Sequence, residues 1–129
     1  MTREQQFIPE LIVRNGPAAL EFYKEVFGAE EVDRMMTSAG KKLVHSELRL
    51  DGHKLFVCDE FDASEGGTCK PPQALGGRGV RVIFVDEADR VMKRAVAAGA
   101  RVNLPVQDMF WGGRYGKMVD PFGHEWGVW

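Results

Sequence analysis

The sequence predicts an α+β fold in which two tandem βαβββ modules form curled sheets around a cleft. Residues 52–57 (Gly-His-Lys-Leu-Phe-Val) are repeated approximately, 71 positions later, by residues 123–128 (Gly-His-Glu-Trp-Gly-Val). Gly28 and Gly99 each close a helix-like stretch, and the same offset of 71 separates them. A 129-residue chain that repeats itself once is best explained as two copies of one supersecondary unit. Neither copy could easily bury a core alone, so we expect both to share one.

The first module is predicted to span about residues 6–58 and to open with an apolar strand at residues 7–13. Asn15 is a suitable N-cap for the helix that follows, Pro17 suits its first turn, and Gly28 offers a left-handed end. Apolar residues recur between them with helical spacing. Three further strands are predicted at residues 31–37, 42–50 and 53–58, with turns at 38–40 and 51–52.

The second module, at about residues 79–129, repeats this plan after a linker at about residues 59–78. A strand is predicted at residues 80–85, and Asp86 is expected to cap a helix that Gly99 ends. The helix carries an apolar stripe at i, i+3, i+4, i+7 and i+8, formed by Ala88, Val91, Met92, Ala95 and Val96. The remaining strands are expected near residues 101–104, 113–120 and 124–129.

Composition and charge exclude several classes of function. A hydrophobic content of 44% is sufficient for a core, and a formal net charge of -2 gives no electrostatic reason to bind nucleic acid or an anionic membrane. No apolar stretch approaches the roughly 18–20 residues of a membrane span, and the polar start Met-Thr-Arg-Glu-Gln-Gln does not resemble a signal peptide. Cys58 and Cys69 lack metal-knuckle spacing, so we expect a reducing, cytoplasmic location.

Several segments carry a resemblance to a known superfamily. They are residues 11–15, residues 19–28 with the run Phe-Tyr-Lys-Glu-Val-Phe-Gly, residues 97–100, and residues 119–126 with the run Asp-Pro-Phe-Gly-His. In these the chain resembles the vicinal oxygen chelate superfamily of glyoxalases, extradiol dioxygenases, and fosfomycin- and bleomycin-resistance proteins. Residues 45–49, 111–116 and 120–126 resemble its PhnB-like branch more closely. The resemblance covers nearly the whole chain.

The resemblance implies a U-shaped cleft between paired modules, usually completed in a homodimer. It also implies up to four metal ligands, on the first and last strands of each module. The repeat places these positions at Ile8, at Gly79 (or Val80 if the register slips by one), at Phe56 and at Gly127. None of these side chains offers an imidazole, a carboxylate or a thiolate. We therefore expect the standard metal site, and the chemistry that depends on it, to be absent.

Polar residues alternate along one predicted strand of the first module. His45, Glu47 and Arg49 therefore point to one face, where an imidazole beside a carboxylate could bind a ligand or act as an acid–base pair. With Glu10 on a neighbouring strand they could form an improvised divalent metal site. Glu125 shares a strand face with Gly127, but its use as a ligand would break the Gly-His repeat alignment. The alternative is an ordinary polar strand face that meets solvent.

A second candidate wall comes from the glycine-flanked aromatic segment at residues 110–115. Trp111 and Tyr115 supply flat rings for stacking, and Arg114 could meet an anionic or carbonyl group. The alternative is a hairpin whose rings fill the core or a dimer seam. His53 and His124 each follow a glycine, and their symmetry favours a role in the turn rather than in a ligand site.

Three functions remain open at this point. The leading hypothesis is a small-molecule binding protein without a metal, in which a mostly apolar or aromatic ligand lies against His45, Glu47, Phe56, Trp111, Arg114 and Tyr115. Phe56 makes the place of the metal centre apolar. The second hypothesis is a lyase or isomerase-type enzyme that uses His45 and Glu47, with or without an atypical divalent metal. The third is an interaction module whose own aromatic residues fill the cleft. The family fold does not select the ligand.

Overall fold

Two helices and two four-stranded sheets follow one another in the chain as two modules. The computed structural model describes residues 5–67, 69–77 and 81–129. The first module contains β1 (Glu10–Val13), α1 (Gly16–Phe27), β2 (Glu30–Met36), β3 (Leu43–Leu50) and β4 (His53–Asp59). The second contains β5 (Arg81–Phe84), α2 (Ala88–Ala97), β6 (Arg101–Asp108), β7 (Arg114–Val119) and β8 (Glu125–Val128).

Both sheets have the same topology. Their strand orders are β1-β4-β3-β2 and β5-β8-β7-β6, and the first and last strands of each module pair in parallel while the other pairs are antiparallel. The predicted α+β fold with two tandem βαβββ modules is confirmed. In the described residues, no helix is both long and apolar enough to span a membrane.

The ends of α1 follow from its sequence. The Asn15 side chain accepts a hydrogen bond from the Ala18 N–H at 3.2 Å, as expected of an N-cap. At the other end Gly28 adopts φ 73°, and its N–H donates to the Lys24 carbonyl. Because a left-handed residue without a Cβ costs least at this position, glycine ends the helix here.

The second module departs from its predictions in two places. Asp86 does not cap α2: the N-cap is Glu87, which makes no side-chain capping bond, and the Asp86 carboxylate pairs with Arg90 instead. Strand β6 continues to Asp108 because its pairing with β7 resumes after two register shifts. Val80, the predicted start of β5, lies outside the described residues.

The connection between the modules is more structured than its sequence indicates. It contains 3₁₀ helices at Ala63–Glu65 and Pro72–Leu75, and the Gln73 side-chain amide donates to the Phe122 carbonyl at 3.0 Å. Asp59, predicted as the first linker residue, ends β4. Its buried carboxylate accepts hydrogen bonds from two backbone N–H groups, which tie α1 and β3 to the end of this strand.

One hydrophobic core joins the modules. The Phe27 ring of α1 lies 4.3 Å from Trp126 and 4.7 Å from Phe84, measured between ring centroids. The hydroxyl of Tyr23, also on α1, donates to the Asp120 carboxylate at 2.6 Å. Each sheet buries the side that faces the helices, and we call its other side the open face. The open faces carry His45, Glu47, Phe56 and Cys58 in the first module, and Arg81, Tyr115, Glu125 and Gly127 in the second.

The sequence repeat does not extend to the sheet register. Glu10 lies opposite Phe56 in the first module. Arg81, 71 positions after Glu10, lies opposite Glu125 rather than Gly127. When β5 is aligned with β1 at an offset of 71 residues (from 10 to 81), β8 is aligned with β4 at an offset of only 69 residues (from 56 to 125). Because the difference is two residues, each strand still presents the same face to the core.

Candidate functional site

The open face of the first module brings together three of the predicted site residues. His45 and Glu47 project from β3, and Phe56 lies opposite Glu47 on β4. The His45 and Phe56 rings meet edge to face, with centroids 4.8 Å apart and planes at 81°. The expectation that His45, Glu47 and Arg49 share one strand face agrees with the alternation of burial along β3. An imidazole over a phenyl ring offers an apolar surface with a polar edge.

The Glu47 carboxylate is held by a neighbour on its own strand. The Arg49 Nε donates to it at 2.5 Å, and only 15% of the Glu47 side chain is exposed. The Arg49 guanidinium occupies the Glu47 Oε2 and fixes the orientation of the carboxylate. Glu47 therefore serves better as a fixed hydrogen-bond acceptor than as a general base.

The improvised metal site is not assembled. Phe56 on β4 lies opposite Glu10 on one side and Glu47 on the other, so β4 separates the strands that carry the two carboxylates. With strands about 4.8 Å apart, the Glu10 and Glu47 backbones are about 10 Å apart. Burial, reinforced by Glu10, raises the pKa of the nearby Cys58 thiol to about 11, so it offers no thiolate at neutral pH. In the part of the chain that the structure describes, no three His, Cys, Asp or Glu side chains converge on a cation site.

The open face of the second module is aromatic. The Tyr115 phenol lies over Gly127, where an added Cβ would be 2.6 Å from the Tyr115 Oη and 2.9 Å from its Cε1. Since no side chain fits at Gly127 without moving this ring, the phenol holds the space that a metal ligand at that position would need. Trp111 lies beside it, with ring centroids 6.2 Å apart.

Trp129 completes this surface and was not singled out from the sequence. A Cβ at Gly113 would lie 2.5 Å from the Trp129 Nε1 and 2.9 Å from the Trp111 Nε1, so both indoles pack on the bare Gly113 backbone. The signal in the sequence is the glycine beside the aromatic segment, since only glycine allows so close an approach. We call Trp111, Tyr115 and Trp129 the aromatic wall. Trp111 and Trp129 are about half exposed.

The prediction that Arg114 shares a ligand surface with Tyr115 needs correction. Successive residues of a strand point to opposite sides, and Arg114 lies on the side that faces α2. Its Nε and Nη2 donate to the Asp89 carboxylate at 2.6 and 3.0 Å, and its Nη1 donates to Asp108 at 3.1 Å. These pairs raise the pKa of Arg114 above its usual value. The Arg114 guanidinium is therefore bound by carboxylates on α2 and at the end of β6.

Comparison with known proteins identifies the family. The family model described as Glyoxalase/Bleomycin resistance protein/Dioxygenase superfamily matches residues 7–128. The chain belongs to this superfamily. An uncharacterised protein of Mycobacterium bovis is 36% identical over 126 residues, which cover 97% of this chain and 82% of that protein. The X-ray structure of the Arabidopsis thaliana gene product At5g48480 is 30% identical, covers 98% of both chains and has a TM-score of 0.73. TioX from Micromonospora sp. ML1 is 25% identical, with a TM-score of 0.68.

The structure shows which side chain stands at each described position of the family's metal site. Phe56 and Ile8 offer only carbon, and Gly127 lies under the Tyr115 phenol. The shifted register makes Glu125 the structural counterpart of Phe56, but its carboxylate pairs with Arg81 and accepts a hydrogen bond from Asn103 at 3.1 Å. A cation there would have to displace the guanidinium. Gly79 and Val80 lie outside the described residues. The side chains at the described positions do not fit the family's metal.

Proposed function

We propose that this protein binds a small hydrophobic or aromatic molecule on the open faces of its sheets, without the metal site of its superfamily. The observation that carries the proposal is the aromatic wall, in which the Tyr115 phenol covers Gly127. A planar ligand can stack on these rings, and aromatic pairs contribute about 0.5–1.5 kcal/mol each beyond the burial of their area.

The open face of the first module supplies a second binding surface in this proposal. The Phe56 ring gives an apolar contact, and the His45 ring offers either a donor or an acceptor nitrogen. Glu47, fixed by Arg49, can accept a hydrogen bond from a hydroxyl or amine of the ligand. The combination fits a flat, mostly apolar molecule with one or two polar substituents.

We further propose that the protein acts as a homodimer in the cytoplasm and belongs to the PhnB-like branch. Large apolar side chains on the open faces, such as those of Met35, Ile83 and Trp129, are about half exposed in one copy, which favours a covering partner. Both cysteines are free thiols, in keeping with a reducing compartment. The branch assignment rests on the runs at residues 111–116 and 120–126.

The second candidate function, a lyase or isomerase-type activity, rests on His45 and Glu47 sharing one face. The Glu47 carboxylate contacts Arg49 rather than the imidazole. An acid–base pair would require this contact to break, so the geometry favours binding.

Gly113→Ala tests the binding proposal. The added methyl group must displace both indoles, so we expect the affinity for a neutral planar probe, 2-naphthol, to fall about tenfold, which corresponds to about 1.4 kcal/mol. Indole N–H resonances in a ¹⁵N spectrum report the binding, with Trp111→Phe and Trp129→Phe used for assignment. His45→Ala should weaken binding as well, whereas His53→Ala serves as the matched control because His53 is exposed at the start of β4. If 2-naphthol binds the Gly113→Ala variant as tightly as the parent protein, the aromatic wall is not the site.

A further inference from the structure

A separate cavity of about 780 Å³ opens between the two modules. We call it the inter-module cavity. Its size lies within the range of about 300–1,000 Å³ that is usual for small-molecule sites. The floor consists of side chains that belong to the core or pack against it, so the cavity is an opening into that core. They are Phe27, Leu48, Leu55, Phe84 and Trp126. His45, Phe56 and the aromatic wall are not among its lining residues.

The rim of this cavity carries two basic side chains. Arg49 on β3 and Lys54 on β4 lie directly opposite each other, and both line the cavity. Like charges on directly opposed strand positions destabilise a sheet unless an opposite charge lies between them. Arg49 pairs with Glu47, whereas no carboxylate of the described residues lies within ion-pairing distance of the Lys54 ammonium. Asp51, in the β3–β4 turn, is the one acidic residue among the described lining residues.

We propose that the inter-module cavity binds an organic monoanion, a carboxylate or sulfonate attached to an apolar ring system or chain. The apolar body lies on the floor between Phe27 and Trp126, and the anionic group lies between Lys54 and Arg49. A neutral ligand would fill the floor but leave the Lys54 ammonium without an ion-pair partner among the described residues. A cationic ligand would add a third positive charge. Arg49 and Lys54 share the strand face of Glu47 and Phe56, so the anionic group lies next to the open face of the first module. The floor with Trp126 is separate from the aromatic wall.

The three tryptophans allow the two sites to be distinguished in one experiment. Trp126 lies on the cavity floor and its indole N–H donates to Asp120 at 2.8 Å, whereas Trp111 and Trp129 lie on the aromatic wall. The full-length protein, labelled with ¹⁵N, is titrated with 8-anilinonaphthalene-1-sulfonate and separately with N-phenyl-1-naphthylamine. The two probes share an aromatic body, and only the first carries a negative charge. We expect the sulfonate to shift the Trp126 indole resonance and to bind about fivefold more tightly than the neutral probe.

Lys54→Met should remove this preference, so that both probes bind the variant equally. Lys54→Arg should retain it, because the charge is kept. Lys41→Met, at an exposed position between β2 and β3, is the matched control and should leave both affinities unchanged. None of these changes touches the core, and Lys54→Met also removes a like-charge contact, so the variants are expected to fold.

Several results would overturn the proposal. One is a Trp126 resonance that does not move while those of Trp111 and Trp129 do, since the probe would then bind the open face alone. Equal binding of the two probes by the parent protein would show that the rim does not select an anion. A Trp126 shift that depends on protein concentration without any probe would identify a second copy of the chain as the occupant.

Discussion

Asp120→Ala is expected to lower the free energy of unfolding by about 3–5 kcal/mol. The Asp120 carboxylate is 3% exposed and accepts hydrogen bonds from the Tyr23 hydroxyl and the Trp126 indole. It also accepts from the backbone N–H groups of Phe122 and His124. Removal of the carboxylate leaves buried donors without an acceptor, and each unsatisfied donor costs about 1–3 kcal/mol. Urea denaturation followed by tryptophan fluorescence measures the loss.

Tyr23→Phe is the control for this prediction. It removes one donor and keeps the carboxylate, so we expect a smaller loss of about 1.5–3 kcal/mol. Burial, reinforced by Asp120, raises the pKa of Tyr23 well above its usual value, so the hydroxyl remains a donor throughout the range in which the protein is handled. A loss below about 1 kcal/mol for Asp120→Ala would show that this network does not hold the two modules together.

Tyr115→Ala is expected to lower the affinity for 2-naphthol about thirtyfold. The phenol lies beside Trp111 in the aromatic wall and covers Gly127. Loss of an aromatic anchor typically costs about 2 kcal/mol or more, which corresponds to that factor. Calorimetric titration measures the affinity, and the melting temperature shows whether the fold is retained.

Tyr115→Phe separates the ring from its hydroxyl. The phenylalanine keeps the stacking surface and loses only the hydroxyl, which lies near the Arg81 guanidinium. We expect its affinity to remain within about threefold of the parent protein, since exposed polar contacts contribute about 1 kcal/mol or less. Equal weakening by both variants would mean that the hydroxyl rather than the ring binds the ligand.

The sequence predicts the helices and modules well because their signals are local. Asn15 and Gly28 mark the ends of α1 through capping chemistry that involves only a few neighbouring residues. The register of the last strands is not local. In the first module Leu50 pairs with His53 across a two-residue turn, whereas in the second Val119 pairs with Glu125 across a five-residue connection. The Gly-His repeat matches the β3–β4 turn with the β7–β8 turn. Because these turns differ in length, the repeat does not match the pairing positions of β4 with those of β8.

The candidate site was predictable only in part. Alternation along β3 places His45 and Glu47 on one face, as their spacing indicates. The same rule separates Arg114 from Tyr115, and the acidic partners of Arg114 come from α2 and β6, which its own segment does not reveal. Trp129 joins the aromatic wall only because β8 carries it beside Gly113. Such pairings depend on tertiary packing.

Calorimetric titration of 2-naphthol, with and without divalent metal, shows whether this protein binds an aromatic ligand without a metal. One sample is treated with EDTA, and others are loaded with zinc, nickel or manganese and checked for bound metal by mass spectrometry. We expect the affinity to be the same in all samples within about twofold, and no metal to be retained in stoichiometric amount. Stoichiometric metal that the ligand requires for binding would contradict metal-free binding, because the side chains of the open faces could not then be the whole site.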